Sequence, residues 1–269
     1  MKTAFCTNVF EPAAFEQGLR KVAELGYDAV ELWQKTLDSW DLDKLERLLS
    51  ELELGVAQVC PYFDFTGNRA EWDSSIQEAR RFVALAARFE APLVRAFTGH
   101  IGGADATVEQ WEAAIWGLRA VCALGAQEGI VFALETHPGC LMDCTDGAQR
   151  LLREVGAPNL GLNLQVPLDD EDPLDSMHSL AAHVVHLHAH NWIGPAPGGQ
   201  WEQLTCLGSG DLDFPRFLAI ARSAGFDGYV SIEHATHHGR SDPLEVAAHE
   251  IAYLRGLFDQ LGKAEQQAR

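Results

Sequence analysis

Positive charge is scarce in this chain: 20 Lys and Arg stand against 39 Asp and Glu, a formal net charge of −19 over 269 residues. Such an excess of acid repels phosphate backbones and anionic headgroups, so neither nucleic acid nor a membrane surface is an expected partner. Long apolar runs are missing too. The most apolar region, 82–97, is broken by Arg88, Glu90 and Arg95, so no segment is expected to span a bilayer. The first residues, Met1-Lys2-Thr3-Ala4-Phe5-Cys6, lack the apolar core of a secretory signal. No CxxC occurs among the six cysteines, and the one close pair, Cys140 and Cys144, has the spacing of neither a zinc knuckle nor a redox motif. Reduced, mostly buried thiols in a cytoplasmic protein are the expectation. No G-x-G-x-x-G follows the first apolar run, which removes the dinucleotide-binding version of an α/β fold.

What the chain does contain is alternation. Short apolar runs at 3–7, 29–33, 56–60, 93–97, 131–136, 160–164, 184–188 and 228–233 read as strands. Between them, stretches at 12–25, 42–52, 69–89, 107–128, 147–155, 173–181, 214–224 and 243–261 read as helices, with apolar residues three and four apart, such as Leu45, Leu48, Leu49 and Leu52. Asp41, Thr107 and Asp242 stand where helix caps belong, and Gly26, Gly55, Gly129, Gly156 and Gly225 follow helical runs. Strict alternation implies parallel strands joined by right-handed crossovers, and eight such units in about 250 residues imply one (β/α)8 TIM barrel. No Ser/Gly-rich linker or charge block divides the chain, so residues 1–269 are expected to form a single domain. Long loops at 61–68, 98–106 and 191–213 follow strands, on the face where such barrels keep their sites. The last, with Trp192, Trp201 and the Gly/Pro run 194–199, reads as a lid or partner-contact loop.

Four of the strands end in polar residues, and burying an unpaired charge is costly. Side chains alternate along a strand, so Val131, Ala133, Glu135 and His137 share one face. So do Gly161, Asn163 and Gln165, then His186, His188 and His190, then Tyr229, Ser231 and Glu233. If Glu135 points inward, Gln165, His188 and Glu233 can join it from three successive strands. Two carboxylates, an imidazole and an amide oxygen suit a divalent ion, with Mn²⁺, Mg²⁺, Co²⁺ and Zn²⁺ all compatible. His186 lies deeper and reads as a hydrogen-bonded core histidine, while His100, His234, His237 and His238 fall in loops. Gly-Tyr-Asp-Ala-Val-Glu at 26–31 echoes Gly-Phe-Asp-Gly-Tyr-Val at 225–230, which shared helix-to-strand turn geometry explains.

With these residues in hand, the sequence resembles the sugar phosphate isomerase/epimerase superfamily, the xylose-isomerase-like TIM barrels. The resemblance is carried by Leu134-Glu135-Thr136-His137-Pro138-Gly139, residues 159–164, His186-Leu187-His188, residues 207–214 and residues 225–234. It implies that Glu135, Gln165, His188 and Glu233 hold the divalent metal, with Gln165-Val166-Pro167-Leu168 standing where the family has Asp-x-x-His. A glutamine adds no charge, so weaker metal binding is expected. The implied activity is isomerisation or epimerisation of a sugar or polyhydroxy keto compound through an enediolate, with Glu135 and Glu233 as the acid/base pair. Arg95 and His137 would support them.

Glu135-Thr136-His137-Pro138, residues 94–99 and Tyr62-Phe63-Asp64 also resemble 3-dehydroshikimate dehydratases of the same barrel. That likeness implies a lyase in which His137 is the base, although His190 replaces a usual lysine. A DNA repair endonuclease shares the barrel but needs a three-metal cluster with more His and Asp ligands and a basic face, and Leu168 in place of the motif's His and the net charge of −19 both speak against it. A non-catalytic sugar-binding barrel completes the alternatives, and self-association into a homo-oligomer is left open.

Overall fold

The computed structural model describes residues 1–169, 171–194, 204–233 and 242–268. The expectations for Trp201, for 195–199 of the Gly/Pro run and for His234, His237 and His238 therefore lie outside the described residues.

The chain runs β1 (Lys2–Cys6), α1 (Phe15–Leu25), β2 (Ala29–Trp33), α2 (Gln34–Ser39), α3 (Leu42–Glu51), β3 (Gly55–Cys60), α4 (Arg69–Arg88), β4 (Leu93–Ala96) and α5 (Val108–Ala126). It continues through β5 (Val131–Glu135), α6 (Thr145–Val155), β6 (Leu160–Leu164), α7 (Pro173–Leu180), β7 (Val184–Ala189), β8 (Asn191–Trp192), β9 (Leu204–Thr205), α8 (Phe214–Ser223), β10 (Tyr229–Ile232) and α9 (Pro243–Ala268). The eight strands β1 to β7 and β10 pair in parallel, each with its neighbour in sequence, and β10 closes on β1. The barrel is thus the expected (β/α)8 fold. Among the described residues no helix is long and apolar enough to cross a membrane.

Local chemistry accounts for the helix ends. The Asp41 side chain accepts from the amides of Asp43 and Lys44, and Thr107 forms a capping box with Gln110. Gly26 and Gly156 end their helices in the left-handed region, at φ +88° and +65°. Gly55 does not: it opens β3, and Glu53 (φ +52°) takes the left-handed turn instead. Three further details depart from the sequence reading. A short helix, α2, follows β2 directly. Helix α6 begins at Thr145 rather than at 147. At the ends of the loop at 191–213, β8 and β9 pair antiparallel, and Trp192 is buried at 4% exposure.

The apolar faces of the helices pack on the outer face of the barrel around Phe5, Phe82, Phe132 and Phe217. Inside, the mouth is polar: Glu31, Gln58, Arg95, Glu135, Asn163, Gln165, His186, His188 and Glu233 are all buried. Two irregularities set which of these meet. Pairing of β2 with β3 slips between Val30 and Glu31, bringing Gln58 opposite Glu31, and pairing of β6 with β7 slips between Leu162 and Asn163. Four cysteines are buried and two are partly so, all as free thiols, as expected.

Candidate metal and catalytic site at the mouth of the barrel

The four residues whose phase pointed inward do converge. His188 Nδ1 lies 3.1 Å from Glu233 Oε2, 3.5 Å from Glu135 Oε1 and 3.0 Å from Gln165 Oε1. The same position of the Gln165 amide lies 2.8 Å from Glu233 Oε2 and 3.2 Å from Glu135 Oε1. Four atoms rich in lone pairs therefore crowd together with only an imidazole proton available to hold them. With the Gln165 oxygen turned inward, such spacing favours a cation among them. It is also the edge length of a coordination shell: bonds of about 2.1 Å at right angles place neighbouring ligands about 3.0 Å apart. The donor set, two carboxylates with one imidazole and one amide oxygen, fits a divalent cation. A half-turn of the Gln165 amide gives the other solution, in which its nitrogen donates to Glu233, Glu135 and His188. Gln165 is held in place by Thr136, whose hydroxyl donates to the Gln165 carbonyl at 2.7 Å and accepts from its amide at 2.8 Å.

The charges fit this picture. Burial alone would lower the basicity of His188, but Glu233, Glu31 and Glu135 override it and hold the imidazole well above its usual range. Arg95 donates through one terminal nitrogen to Glu135 Oε2 at 3.1 Å and through the other to the Pro61 carbonyl at 3.1 Å. Its guanidinium is boxed by Trp33, Tyr62 and Phe97, with 4.1, 4.5 and 4.7 Å to their ring centres. Burial opposes its charge; Glu135 more than compensates, so Arg95 stays firmly protonated. Both oxygens of Glu135 are thus engaged, one by Arg95 and the other by the cluster.

His137 stands just beyond β5, partly exposed, its ring edge-on to Phe97 with centres 5.8 Å apart. Its Nδ1 lies 2.7 Å from the Pro138 carbonyl, which assigns the proton to Nδ1 and the basic lone pair to Nε2. His190 turns toward the Val166 carbonyl at 2.5 Å. A cavity of about 310 Å³ adjoins this wall, lined by Phe10, Trp33, Lys35, Trp40 and Tyr62 among others, and shares two of the rings that box Arg95.

The residue that sequence reasoning missed is Glu31. It is 0% exposed and touches both His186 and His188, at 3.0 and 3.2 Å. The signal was present, a carboxylate inside the apolar run Ala29-Val30-Glu31-Leu32-Trp33, but the turn echo at 26–31 absorbed it. His186 is the hydrogen-bonded core histidine expected of it.

A sequence profile for xylose isomerase-like TIM barrels matches residues 19–257. The chain belongs to the xylose isomerase-like TIM barrel family. Among its relatives is a 3-dehydroshikimate dehydratase of Bacillus anthracis, 29% identical over 202 residues that span 71% of this chain and 72% of that one. A D-tagatose 3-epimerase-like protein superposes with a TM-score of 0.82 at 19% identity, covering 98% of this chain and 99% of its own. A family barrel from Mycobacterium smegmatis, in complex with magnesium, superposes at 0.73 with 18% identity over 97% of each chain. The last two likenesses speak for the fold. The proteins this chain resembles thus include a 3-dehydroshikimate dehydratase in sequence and an epimerase-like protein in fold.

Proposed function

We propose that this barrel is a divalent-metal-dependent lyase that removes water from a cyclic polyhydroxy keto acid of the 3-dehydroshikimate type. The observation that carries the reading is the commitment of Glu135. A carboxylate held by a buried Arg95 on one oxygen and by the ligand cluster on the other has both oxygens committed and neither placed to reach a substrate proton. The basic group left beside it is His137 Nε2, its tautomer set by the Pro138 carbonyl. The dehydratase relative, at 29% identity, supports the same choice.

Glu135, Gln165, His188 and Glu233 would hold the cation, which when bound supplies Lewis-acid polarisation of a substrate carbonyl. His137 Nε2 takes the proton from the carbon next to that carbonyl. The C–H electron pair becomes the enolate, and its return expels the hydroxyl from the next carbon. That hydroxyl leaves as water with the proton His137 had taken, so one C–H and one C–O bond are exchanged for one C=C π bond and one O–H bond. Arg95 holds Glu135 in its aim, and Tyr62 and Phe97, stacked at 6.0 Å with planes 7° apart, wall that side of the site.

An epimerase reading keeps one observation in its favour: Glu135 and Glu233 approach His188 Nδ1 from two strands, at 3.5 and 3.1 Å, as a two-carboxylate proton relay would need. One experiment divides the readings. Metal-loaded protein is given 3-dehydroshikimate, with aromatic product followed optically, and ketoses in heavy water, with deuterium uptake followed by NMR. Aromatic product that disappears in His137→Asn, by about 10²- to 10⁴-fold, supports the lyase. Deuterium uptake by a ketose with no aromatic product replaces it with the epimerase.

A further inference from the structure

The reaction proposed above makes no use of Glu31, the most deeply buried carboxylate at the barrel mouth. Its Oε2 accepts from Gln58 Nε2 at 2.8 Å and lies 3.2 Å from His188 Nε2, while its Oε1 lies 3.0 Å from His186 Nε2. The slip in pairing after Val30 puts Gln58 directly opposite it. Glu31 and Glu233 therefore grip the same imidazole from opposite nitrogens, Nε2 and Nδ1.

A neutral imidazole carries one proton. For Nδ1 to offer a lone pair to a cation, the proton must sit on Nε2, and a buried N–H needs an acceptor. Three groups approach Nε2: Glu31 Oε2 at 3.2 Å, Asn163 Nδ2 at 3.1 Å and Gln58 Nε2 at 3.4 Å. The Gln58 amide presents nitrogen, since it donates to Glu31 Oε2, and the carboxylate is the charged acceptor of the three. Glu31 cannot turn away, because His186 and Gln58 hold its two oxygens. We infer that Glu31 is the positioning residue of the metal centre: it fixes His188 as the Nε2–H tautomer and aims Nδ1 at Glu135, Gln165 and Glu233. The inference rests on the metal-centre reading. It differs from a purely structural ion pair, which would add stability without altering the affinity of the folded protein for metal. It differs also from a second metal bound by Glu31, His186 and His188, whose donor atoms lie within 4.8 Å of one another, because such an ion would add to the number of Mn²⁺ bound per chain.

The test is direct titration of the metal-free protein with Mn²⁺ by calorimetry, in wild type, Glu31→Gln and Glu31→Asp. It is run well below each variant's own melting transition. The expected result is one Mn²⁺ per wild-type chain, with affinity about 10- to 100-fold weaker in Glu31→Gln. Glu31→Asp keeps the charge but withdraws it by one methylene, and should lose affinity as well; it serves alone if Glu31→Gln does not fold. If neither folds, Gln58→Leu, which removes one of the holds on Glu31, should weaken Mn²⁺ binding in the same direction. In Zn²⁺-loaded wild type, ¹⁵N-histidine NMR should place the His188 proton on Nε2. Wild-type affinity in a folded variant, or a proton on Nδ1, overturns the assignment. So does a second Mn²⁺ that Glu31→Gln abolishes. No uptake by wild type overturns the metal centre itself.

Discussion

Replacing Arg95 by Met tests the electrostatic logic of the whole site. The guanidinium is 1% exposed and sits 3.1 Å from a carboxylate that is 2% exposed. At that distance the gross attraction is about 5 kcal/mol for an effective dielectric near 20. Desolvation offsets much of it in the intact pair, but removing one partner strands the other. Breaking a buried pair in this way costs about 3–5 kcal/mol. Methionine keeps the volume and can still contact the rings of Trp33, Tyr62 and Phe97, so packing loss should be small. For a chain of this size the melting temperature of the metal-free protein should fall by roughly 10 °C. The second half of the prediction is sharper. A cation at Glu135 would neutralise the stranded charge, so Mn²⁺ should raise the melting temperature of Arg95→Met more than that of wild type. Calorimetric scans with and without Mn²⁺ read both effects. A metal-free loss below about 1 kcal/mol, or equal shifts with Mn²⁺, would refute the coupling.

Three further outcomes are expected. Gln165→Asp restores a charged donor and should tighten Mn²⁺ binding at least tenfold by titration calorimetry; unchanged affinity would show that residue 165 is no ligand. Native protein at neutral pH should react with a thiol reagent at no more than Cys144 and Cys206, since the other four are buried and burial pushes Cys122 and Cys140 up to about 12. Mass spectrometry counts the adducts, and rapid native labelling of Cys122 would contradict the packing. Finally, Gly117→Ala should lose about 1–3 kcal/mol in denaturant melts, because its methyl would meet the buried Phe65 ring at 2.3 Å. The control, Gly256→Ala in α9, meets nothing within 4 Å and should gain up to about 1 kcal/mol.

The sequence was most legible where one physical rule had no rival. Apolar runs alternating with amphipathic stretches admit few topologies, and strand phase alone grouped Glu135, Gln165, His188 and Glu233. Where two causes shared one signature, the wrong one could win. Glu31 looked like the tail of a turn motif, because the register slip that brings Gln58 beside it leaves no trace in one sequence. The clamp of Arg95 on Glu135 is equally silent, being a contact between β4 and β5 that neither strand announces. Helix α2 escaped notice for a local reason: six residues, Gln34–Ser39, with no side-chain cap at either end, show neither period nor punctuation. The β8–β9 ribbon is shorter still, two residues a side.

Glu31, Glu135 and Glu233 place three carboxylates at the barrel mouth against the fixed cation of Arg95 and an imidazole. That imbalance weighs on the metal-free fold, and an amide in place of Glu233, which meets the cluster rather than Arg95, would relieve repulsion there without stranding the buried guanidinium. It makes the mouth a record of selection. On the reading proposed above, a descendant that no longer binds a cation there should drift first at position 233, keeping the barrel and the buried pair of Arg95 with Glu135.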